Sequence, residues 1–167
     1  GQAKFLCQGV SHSSKTRTFP RVAGFLFPAL ASRCRRPDAE NPLTRAMNQY
    51  MRNYGFYKLM LLVDLKGKVA AVNSVDAKGA ALDTRALYAQ NFADAPWFKK
   101  AKNREFLKSE EIDGTVVEQP AYVRVVADTY HDDGYSIAFS PPVYDAHGKM
   151  IGVWVNFADY GLVEGIV

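Results

Sequence analysis

Side chains that could bind a metal are few, and they lie where the sequence predicts turns. His131, Asp132 and Asp133 are consecutive and could supply metal ligands. Gly134 follows them, however, and adjacent Asp and Gly are typical of a hairpin turn. His147 lies in a second turn of the same kind. Because no further cluster supplies the ligands that a protein metal site needs, we predict no metal here.

Nucleophile motifs are also missing. Ser136 and Ser140 lie on a predicted strand, but no His and acid in register accompany them, so they do not form a catalytic triad. The sequence has no glycine-rich phosphate loop and no paired carboxylates in a predicted cleft. Cys7 and Cys34 are the only cysteines; they pair in an oxidising compartment or remain as buried thiols. We therefore predict no enzyme activity and no cofactor.

Positive charge is concentrated at the start of the chain. The formal net charge is +4, and eight Lys or Arg residues precede Met47 against Asp38 and Glu40. A nucleic-acid footprint normally follows one face of a folded domain, so we predict no nucleic-acid binding. The longest apolar run before the helical region, Val22–Ala31, contains Pro28 and is shorter than the ~18 residues that span a membrane.

The chain divides near residue 42. Residues 1–42 contain four prolines and no sustained periodicity, which predicts an irregular leader that contributes little to any sheet. Residues 43–167 form the predicted domain. It opens with a helix, because Leu43, Met47, Tyr50, Met51 and Tyr54 have helical spacing, and Gly55 ends that helix.

The remaining pattern predicts an α+β fold with a five-stranded antiparallel sheet. Its turns are Asp64–Gly67, Asp132–Gly134 and Asp145–Gly148. The predicted strands are Tyr57–Leu65, Lys68–Ser74, Ala121–Thr129, Tyr135–Tyr144 and Met150–Phe157. About 40 residues after the second strand carry two predicted helices, Asp83–Phe92 and Pro96–Leu107, and a last helix begins at Tyr160. Ligands would enter between the sheet and this inserted segment.

Three motifs in this order resemble the Cache family of extracytoplasmic, PAS-like sensors. They are Leu62-Val-Asp64-Leu-Lys-Gly67, Ala95-Pro-Trp97-Phe98, and the run from Phe139 through Asp145 and Gly148 to Val153. The resemblance covers Leu43 to Val167. It implies a five-stranded sheet with a long N-terminal helix, and a periplasmic or extracellular sensor in a membrane-anchored receptor of the chemotaxis type. It also implies a small-molecule ligand and a homodimer built on the long helix, for which residues 1–42 look unsuited.

The resemblance also indicates site residues. In the amino-acid-binding branch an Arg-x-Trp-Tyr segment binds the ligand carboxylate; here Ala95 replaces the Arg, Trp97 matches and Phe98 replaces the Tyr. A Tyr-x-Asp segment corresponds to Tyr122-Val-Arg124, and a second ammonium-binding Asp corresponds to Phe157. Arg124 in a shielded cleft would favour a carboxylate. The predicted ligand-binding residues are Trp97, Phe98, Tyr122, Arg124, Tyr135 and Phe157.

Each of these residues has a structural alternative. Trp97 and Phe98 would pack the inserted segment on the sheet, and Arg124 would lie in solvent or pair with Glu118. Either the Tyr135 set or the Ser136 set of alternating residues faces the site. The alternative functions are a profilin- or roadblock-like protein-interaction module, the sensor of a histidine kinase or diguanylate cyclase, and a small α+β enzyme.

Overall fold

The computed structural model of the protein describes residues 41–106 and 114–164. The prediction for residues 1–42 falls almost entirely outside this range. The first described helix, α1, spans Pro42–Tyr54. Asn41 caps it by accepting a 3.0 Å hydrogen bond from the Leu43 amide, and Gly55 ends it in a left-handed conformation. The helix that the apolar spacing predicted is confirmed.

The described residues form one sheet in which every pairing is antiparallel. Its order is β2-β1-β7-β5-β3, with β4 paired to β5 and β6 paired to β7. The strands are β1 (Tyr57–Asp64), β2 (Val69–Val72), β3 (Val116–Val117), β4 (Ala121–Tyr122), β5 (Tyr135–Ser140), β6 (Pro142–Tyr144) and β7 (Met150–Asp159). The predicted α+β class and antiparallel sheet are confirmed, with more and shorter strands than the five expected.

The inserted segment is less helical than predicted. Between β2 and β3 it holds a 3₁₀ helix at Arg85–Ala89, where an α-helix over Asp83–Phe92 was expected. The second helix, α2, spans Pro96–Asn103 and ends at Arg104, which adopts a left-handed conformation. Its predicted end at Leu107 lies outside the described residues. The last described helix, α4, spans Tyr160–Glu164, as predicted.

The predicted strand Ala121–Thr129 is wrong. After β4 the chain turns at Val123, whose carbonyl accepts hydrogen bonds from the amides of Val126 and Ala127, and helix α3 spans Arg124–Tyr130. Two adjacent valines favour a strand by less than ~1 kcal/mol in local propensity. Burying a valine side chain against a core contributes ~1.5–3 kcal/mol, and here Val125 and Val126 are buried. Tertiary packing therefore overrides the local preference.

The predicted strand Tyr135–Tyr144 is divided at Pro141. Proline has no amide hydrogen to donate to a ladder, and Pro142 follows directly. β5 therefore pairs with the end of β7 (Ile137 with Ala158), whereas β6 pairs with its beginning (Val143 with Gly152). The single predicted strand is therefore two strands, β5 and β6, which both pair with β7.

The sheet is buried on both faces. One face, the α1 face, packs on Met47 and Met51 of α1. The other, the insert face, is covered by the inserted segment and α3. β1 alternates between the two, with Leu59 and Leu61 on the insert face and Met60 and Leu62 on the α1 face, and all of these side chains are buried. A strand that is buried on both faces has a nearly continuous run of apolar residues in its sequence, and β1 has such a run.

The turn at Asp64–Gly67 holds the inserted segment against the sheet. Gly67 has φ +78° and its carbonyl accepts a hydrogen bond from the Phe92 amide at 2.7 Å. A Cβ on Gly67 would lie 2.2 Å from the backbone nitrogen of Ala93. Gly148 occupies the same position of a matching turn, with φ +76°, and a Cβ there would meet nothing within 4 Å. The two glycines share a backbone conformation and differ in what lies beside them.

We predict that Gly67→Ala destabilises the domain much more than Gly148→Ala. Both substitutions place a Cβ in the left-handed region, which costs ~1–2 kcal/mol. Gly67→Ala also forces the turn away from the backbone of the inserted segment, and we expect a total loss above ~3 kcal/mol. Urea denaturation of the two variants and the wild type measures the difference. Equal losses would show that this close contact does not hold the insert.

Candidate functional site

The described residues form a cleft at the edge of the sheet between α1, the end of β2 and the inserted segment. Its volume is about 540 Å³. Four hydroxyl-bearing side chains line it: Thr44, Ser74, Thr84 and Tyr88. Its apolar walls are Val72, Val75, Ala81 and Leu82, and its charged residues are Asp83 and Arg85. A concave, mostly apolar space with a few polar groups is the usual form of a small-molecule site.

Hydrogen bonds between α1 and β2 fix one wall of the cleft. Thr44 donates to the carbonyl of Val72 at 2.9 Å. Asn48 donates from Nδ2 to Ser74 Oγ at 3.0 Å and accepts from the Ser74 amide at 2.8 Å. Because these contacts join helix to strand, the hydroxyls of Thr44 and Ser74 have set positions. The opposite wall, from Ala81 to Tyr88, belongs to the inserted segment.

The two charged residues of the cleft form an exposed ion pair. Arg85 Nε lies 3.2 Å from Asp83 Oδ1, and about three quarters of each side chain is exposed. The hydrogen bond from Arg85 lowers the pKa of Asp83 below its ordinary value. An exposed ion pair of this kind contributes little to stability, so a ligand carboxylate could replace Asp83 as the partner of Arg85 at small cost.

The aromatic residues predicted for the site lie in the core under the inserted segment. Trp97 and Phe98 on α2 are buried, as is Phe157 on β7. The Trp97 ring meets Phe157 edge to face at 6.2 Å and Phe98 at 6.0 Å. None of the three lines the cleft. Their contact with a ligand stays a prediction, and in the structure they pack the insert on the sheet.

Tyr122 and Arg124 do not lie on one strand, as the wrongly predicted strand Ala121–Thr129 required. Tyr122 ends β4 and is exposed, whereas Arg124 begins α3. The Arg124 side chain is 84% exposed and pairs with Asp128 one helical turn later, at 3.5 Å. Glu118, its expected alternative partner, pairs with Lys100 at 2.7 Å. Arg124 is therefore not in a shielded cleft.

Tyr135 lies on the α1 face. Ala138 packs in the core of the insert face, and Ser136 and Ser140 share its side of β5 by alternation. Tyr135 therefore points away from the inserted segment, and its ring meets Tyr160 edge to face at 5.3 Å. The side chain is partly exposed, so the expectation that Tyr135 faces the predicted site is wrong.

A charged cluster at the start of β1 was not predicted from the sequence. Lys58 Nζ lies 2.6 Å from Asp132 Oδ2 and 3.4 Å from Asp159 Oδ2. The ammonium also lies 5.7 Å from the centre of the Tyr130 ring, and Tyr130 donates its hydroxyl hydrogen to the Lys58 carbonyl. Asp132 and Asp159 are 74 and 101 positions from Lys58 in the chain, too far for local spacing to indicate the pairing.

Burial and charge act in opposite directions in this cluster. Burial by itself would raise the pKa of Asp132, but the hydrogen bonds from Lys58 and from the Gly134 amide outweigh it and lower the pKa. Burial would lower the pKa of Lys58, but Asp132 and Asp159 raise it. Burial raises the pKa of Tyr130, and the nearby carboxylates of Asp76, Asp132 and Asp159 raise it further.

The turn that contains His131, Asp132 and Asp133 is held by backbone contacts. Asp132 Oδ1 accepts from the Gly134 amide at 2.9 Å, and Asp133 Oδ1 accepts from the Tyr135 amide at 3.0 Å. Across residues 41–106 and 114–164, no group of three His, Cys, Asp or Glu side chains is arranged to hold a metal ion. In the same ranges, no helix combines the length and apolar character needed to cross a membrane.

The fold is shared with solved sensor domains. The sensory domain of the Campylobacter jejuni chemoreceptor Tlp3 aligns at 16% identity over 84% of this chain and 53% of its own, with a TM-score of 0.52. An extracellular ligand-binding receptor from Desulfohalobium retbaense aligns at 13% identity over 84% of this chain and 22% of its own, with a TM-score of 0.51. The extracellular domain of a predicted histidine kinase, vpHK1S-Z8, aligns at 17% identity over 84% and 48%, also at 0.51.

The chain therefore has the fold of the Cache-type, PAS-like extracellular sensor domains of chemoreceptors and histidine kinases, as its motifs indicated. It spans about half the length of two of these solved chains and about a fifth of the third. No protein-family profile matches the sequence, and no curated protein does. At these identities the likeness defines the fold and leaves the ligand open.

We predict that Asp132→Asn destabilises the domain at neutral pH and has little effect in acid. The pKa of Asp132 is lower in the folded state, so its ionised form stabilises the fold fully above the unfolded pKa of ~3.9, and this stabilisation declines as the pH falls from that value through the lower folded pKa. Urea denaturation at several pH values between 7 and 3 measures the effect. Asp133→Asn, a change in the same turn, is the control. A loss for Asp132→Asn that is independent of pH would contradict this account.

Proposed function

We propose that this domain is the extracytoplasmic ligand-binding sensor of a membrane-anchored chemotaxis receptor, and that it has no catalytic activity. The observation that carries the proposal is the antiparallel sheet covered by an inserted segment, which it shares with solved extracellular sensor domains. The cleft between α1, β2 and that segment supplies a place for a small molecule.

The residues of the cleft favour a short carboxylate as the ligand. Arg85 offers a guanidinium that can hold a carboxylate through two hydrogen bonds. Thr44 donates its hydroxyl hydrogen to Val72, so its oxygen can only accept a hydrogen bond from a second polar group, whereas the Ser74 hydroxyl can donate one to it. Val72 and Leu82 give apolar walls for a short carbon chain. Arg85 thus takes the role that the sequence suggested for Arg124: both side chains are exposed, but Arg85 lines the cleft and Arg124 lies outside it on α3.

A sensor must bind its ligand with different affinity in two conformations. The cleft can meet this requirement because its walls include different elements, which are joined at one point by a 2.9 Å hydrogen bond from the Leu82 amide to the Ser74 carbonyl. Thr44 and Ser74 are held by the α1–β2 contacts, whereas Thr84, Arg85 and Tyr88 lie on the inserted segment. A ligand that touches both walls stabilises one relative position of the two. Binding can then shift the population of domain conformations.

A protein-interaction module is the second candidate function, and one observation favours it. Trp97 and Phe157 fill the interior under the insert, while large apolar side chains are exposed elsewhere. In the described part of the chain these exposed residues are Tyr54, Tyr122, Tyr135 and Leu162. Tyrosines are enriched in protein interfaces. This alternative predicts binding to a protein and none to small acids.

We predict that a thermal-shift screen of mono- and dicarboxylates, amino acids and amines identifies a short carboxylate. A ligand present at 100 times its Kd stabilises the folded state by ~2.7 kcal/mol, which raises Tm by several degrees in a domain of this size. Shifts produced by amines alone would show that the proposed ligand class is wrong. A complete absence of shifts, with capture of a protein partner, would support the interaction module instead.

We predict that Arg85→Ala weakens binding of the identified carboxylate at least tenfold, whereas Arg124→Ala leaves it unchanged. A charge-assisted hydrogen bond contributes ~1.5–3 kcal/mol, which corresponds to about tenfold or more in Kd. Both arginines are exposed and each pairs with a nearby Asp, so Arg124→Ala is a matched control for lost surface charge. Titration calorimetry measures both variants. Equal affinities of Arg85→Ala and wild type would place the ligand outside this cleft.

A further inference from the structure

The Lys58 cluster joins three parts of the fold that are separate in the chain. Lys58 lies on β1, Asp132 lies in the turn between α3 and β5, and Asp159 is the last residue of β7. Only 13% of the Lys58 side chain is exposed. An ammonium has three donors, so one lysine can bind both carboxylates at once. The distances of 2.6 Å to Asp132 and 3.4 Å to Asp159 place it between them.

Each carboxylate binds Lys58 with one oxygen and a local amide with the other. Asp132 uses Oδ2 for Lys58 and Oδ1 for the Gly134 amide, which shapes the turn after α3. Asp159 uses Oδ2 for Lys58 and Oδ1 for the Gly161 amide, which is in the first turn of α4. Both ends of the contact are therefore tied to the backbone. A displacement of the turn changes the position of the ammonium relative to Asp159.

Helix α3 also contacts the same lysine directly. Tyr130, the last residue of α3, donates to the Lys58 carbonyl, and its ring lies 5.7 Å from the ammonium. A Cβ on Gly134 would lie 2.8 Å from the Val123 carbonyl oxygen and 2.7 Å from the Ala127 Cβ, so the turn and α3 are in close contact. Because packed elements of this kind move together, a shift of α3 carries Asp132 with it.

We propose that Lys58 couples the position of α3 to that of α4. The cluster transmits a displacement of α3, which covers the insert face, to the helix that follows the last strand. The coupling rests on the proposed function in one respect: ligand binding is the event that would displace α3 and the inserted segment. The β5–β7 ladder, in which Ser136 pairs with Asp159, also connects these regions. Lys58 adds a direct side-chain connection to that ladder.

The test measures whether a substitution at Asp132 changes amide hydrogen exchange in α4, and whether that change requires Lys58. In ligand-free protein, we expect Asp132→Asn to raise the amide hydrogen exchange rate of Gly161 at least about fivefold, the scale of an ordinary coupling between sites. In the Lys58→Met background the same substitution should change that rate less than about twofold. Coupling is reciprocal, so Asp159→Asn should change exchange at Gly134 in the same Lys58-dependent way.

Lys100→Met is the matched control, because it removes a 2.7 Å ion pair with Glu118 that is not part of this cluster. In that background, the effect of Asp132→Asn on Gly161 should be as large as in the wild type. The proposal is overturned if Asp132→Asn leaves Gly161 unchanged with Lys58 present, or changes it equally without Lys58.

A second measurement serves if Lys58→Met does not fold. Asp132→Asn, Asp159→Asn and the double variant then form a cycle in the presence of Lys58. Because both carboxylates bind one ammonium, their effects on the unfolding equilibrium constant should be non-multiplicative by at least about threefold. Multiplicative effects overturn the proposal. Neither measurement uses a ligand, so a failure of carboxylate binding contradicts the proposed function and leaves this coupling testable by itself.

Discussion

The pairing of β1 with β7 is the constraint on which the other features depend. These two strands form the longest ladder of the sheet, from Tyr57 opposite Ala158 to Asp64 opposite Gly152. From Leu59 to Val63 β1 is buried on both faces, so each side chain in this run supports either α1 or the elements on the insert face. The register of this ladder also sets the Asp159 carboxylate beside Lys58. Shifting it by one residue would exchange the two faces.

The middle of the inserted segment is held to this framework at two nearby points, and the cleft lies beside the part of the segment that precedes them. On one side the turn at Gly67 contacts the backbone around Phe92 and Ala93. On the other, Trp97 meets Phe157 of β7. The 3₁₀ helix at Arg85–Ala89 precedes both points in the chain and packs beside β2, and the space lined by Thr44 and Arg85 lies there. Stability is concentrated under Trp97, while the candidate binding groups lie at the sheet edge.

The sequence predicted the parts of the fold that local chemistry determines. The helix before Gly55 and the Asp64–Gly67 turn follow from spacing and from the backbone freedom of glycine. The strand predicted at Ala121–Thr129 was wrong because burial of Val125 and Val126 outweighs their local preference. The site could be predicted less well, since alternation along β5 did not reveal which face Tyr135 takes.

The contacts of the charged cluster could not be predicted from the sequence either, because they join residues far apart in the chain. Lys58, Asp132 and Asp159 are ordinary residues in a strand, a turn and a strand end, and no spacing rule connects them. The same holds for Arg85, which meets the cleft only because the segment around it folds back over β2. Arg124 was predicted as a ligand-binding residue because of the segment Tyr122-Val-Arg124, and its side chain is exposed outside the cleft. The candidate site therefore depends on long-range placement more than on local motifs.

The separation of β1 and β7 along the chain also has a consequence for biogenesis. Their paired residues are about 100 positions apart, so the central ladder forms only by closing a very long loop, a topology associated with slow folding. Synthesis proceeds from the amino terminus at ~5–20 residues per second, so β1 exists for several seconds or more before its partner has been made. Throughout that interval the apolar run Leu59–Val63 has no β7 to cover it. A nascent chain of this domain would therefore be a substrate for chaperones until its last strand emerges.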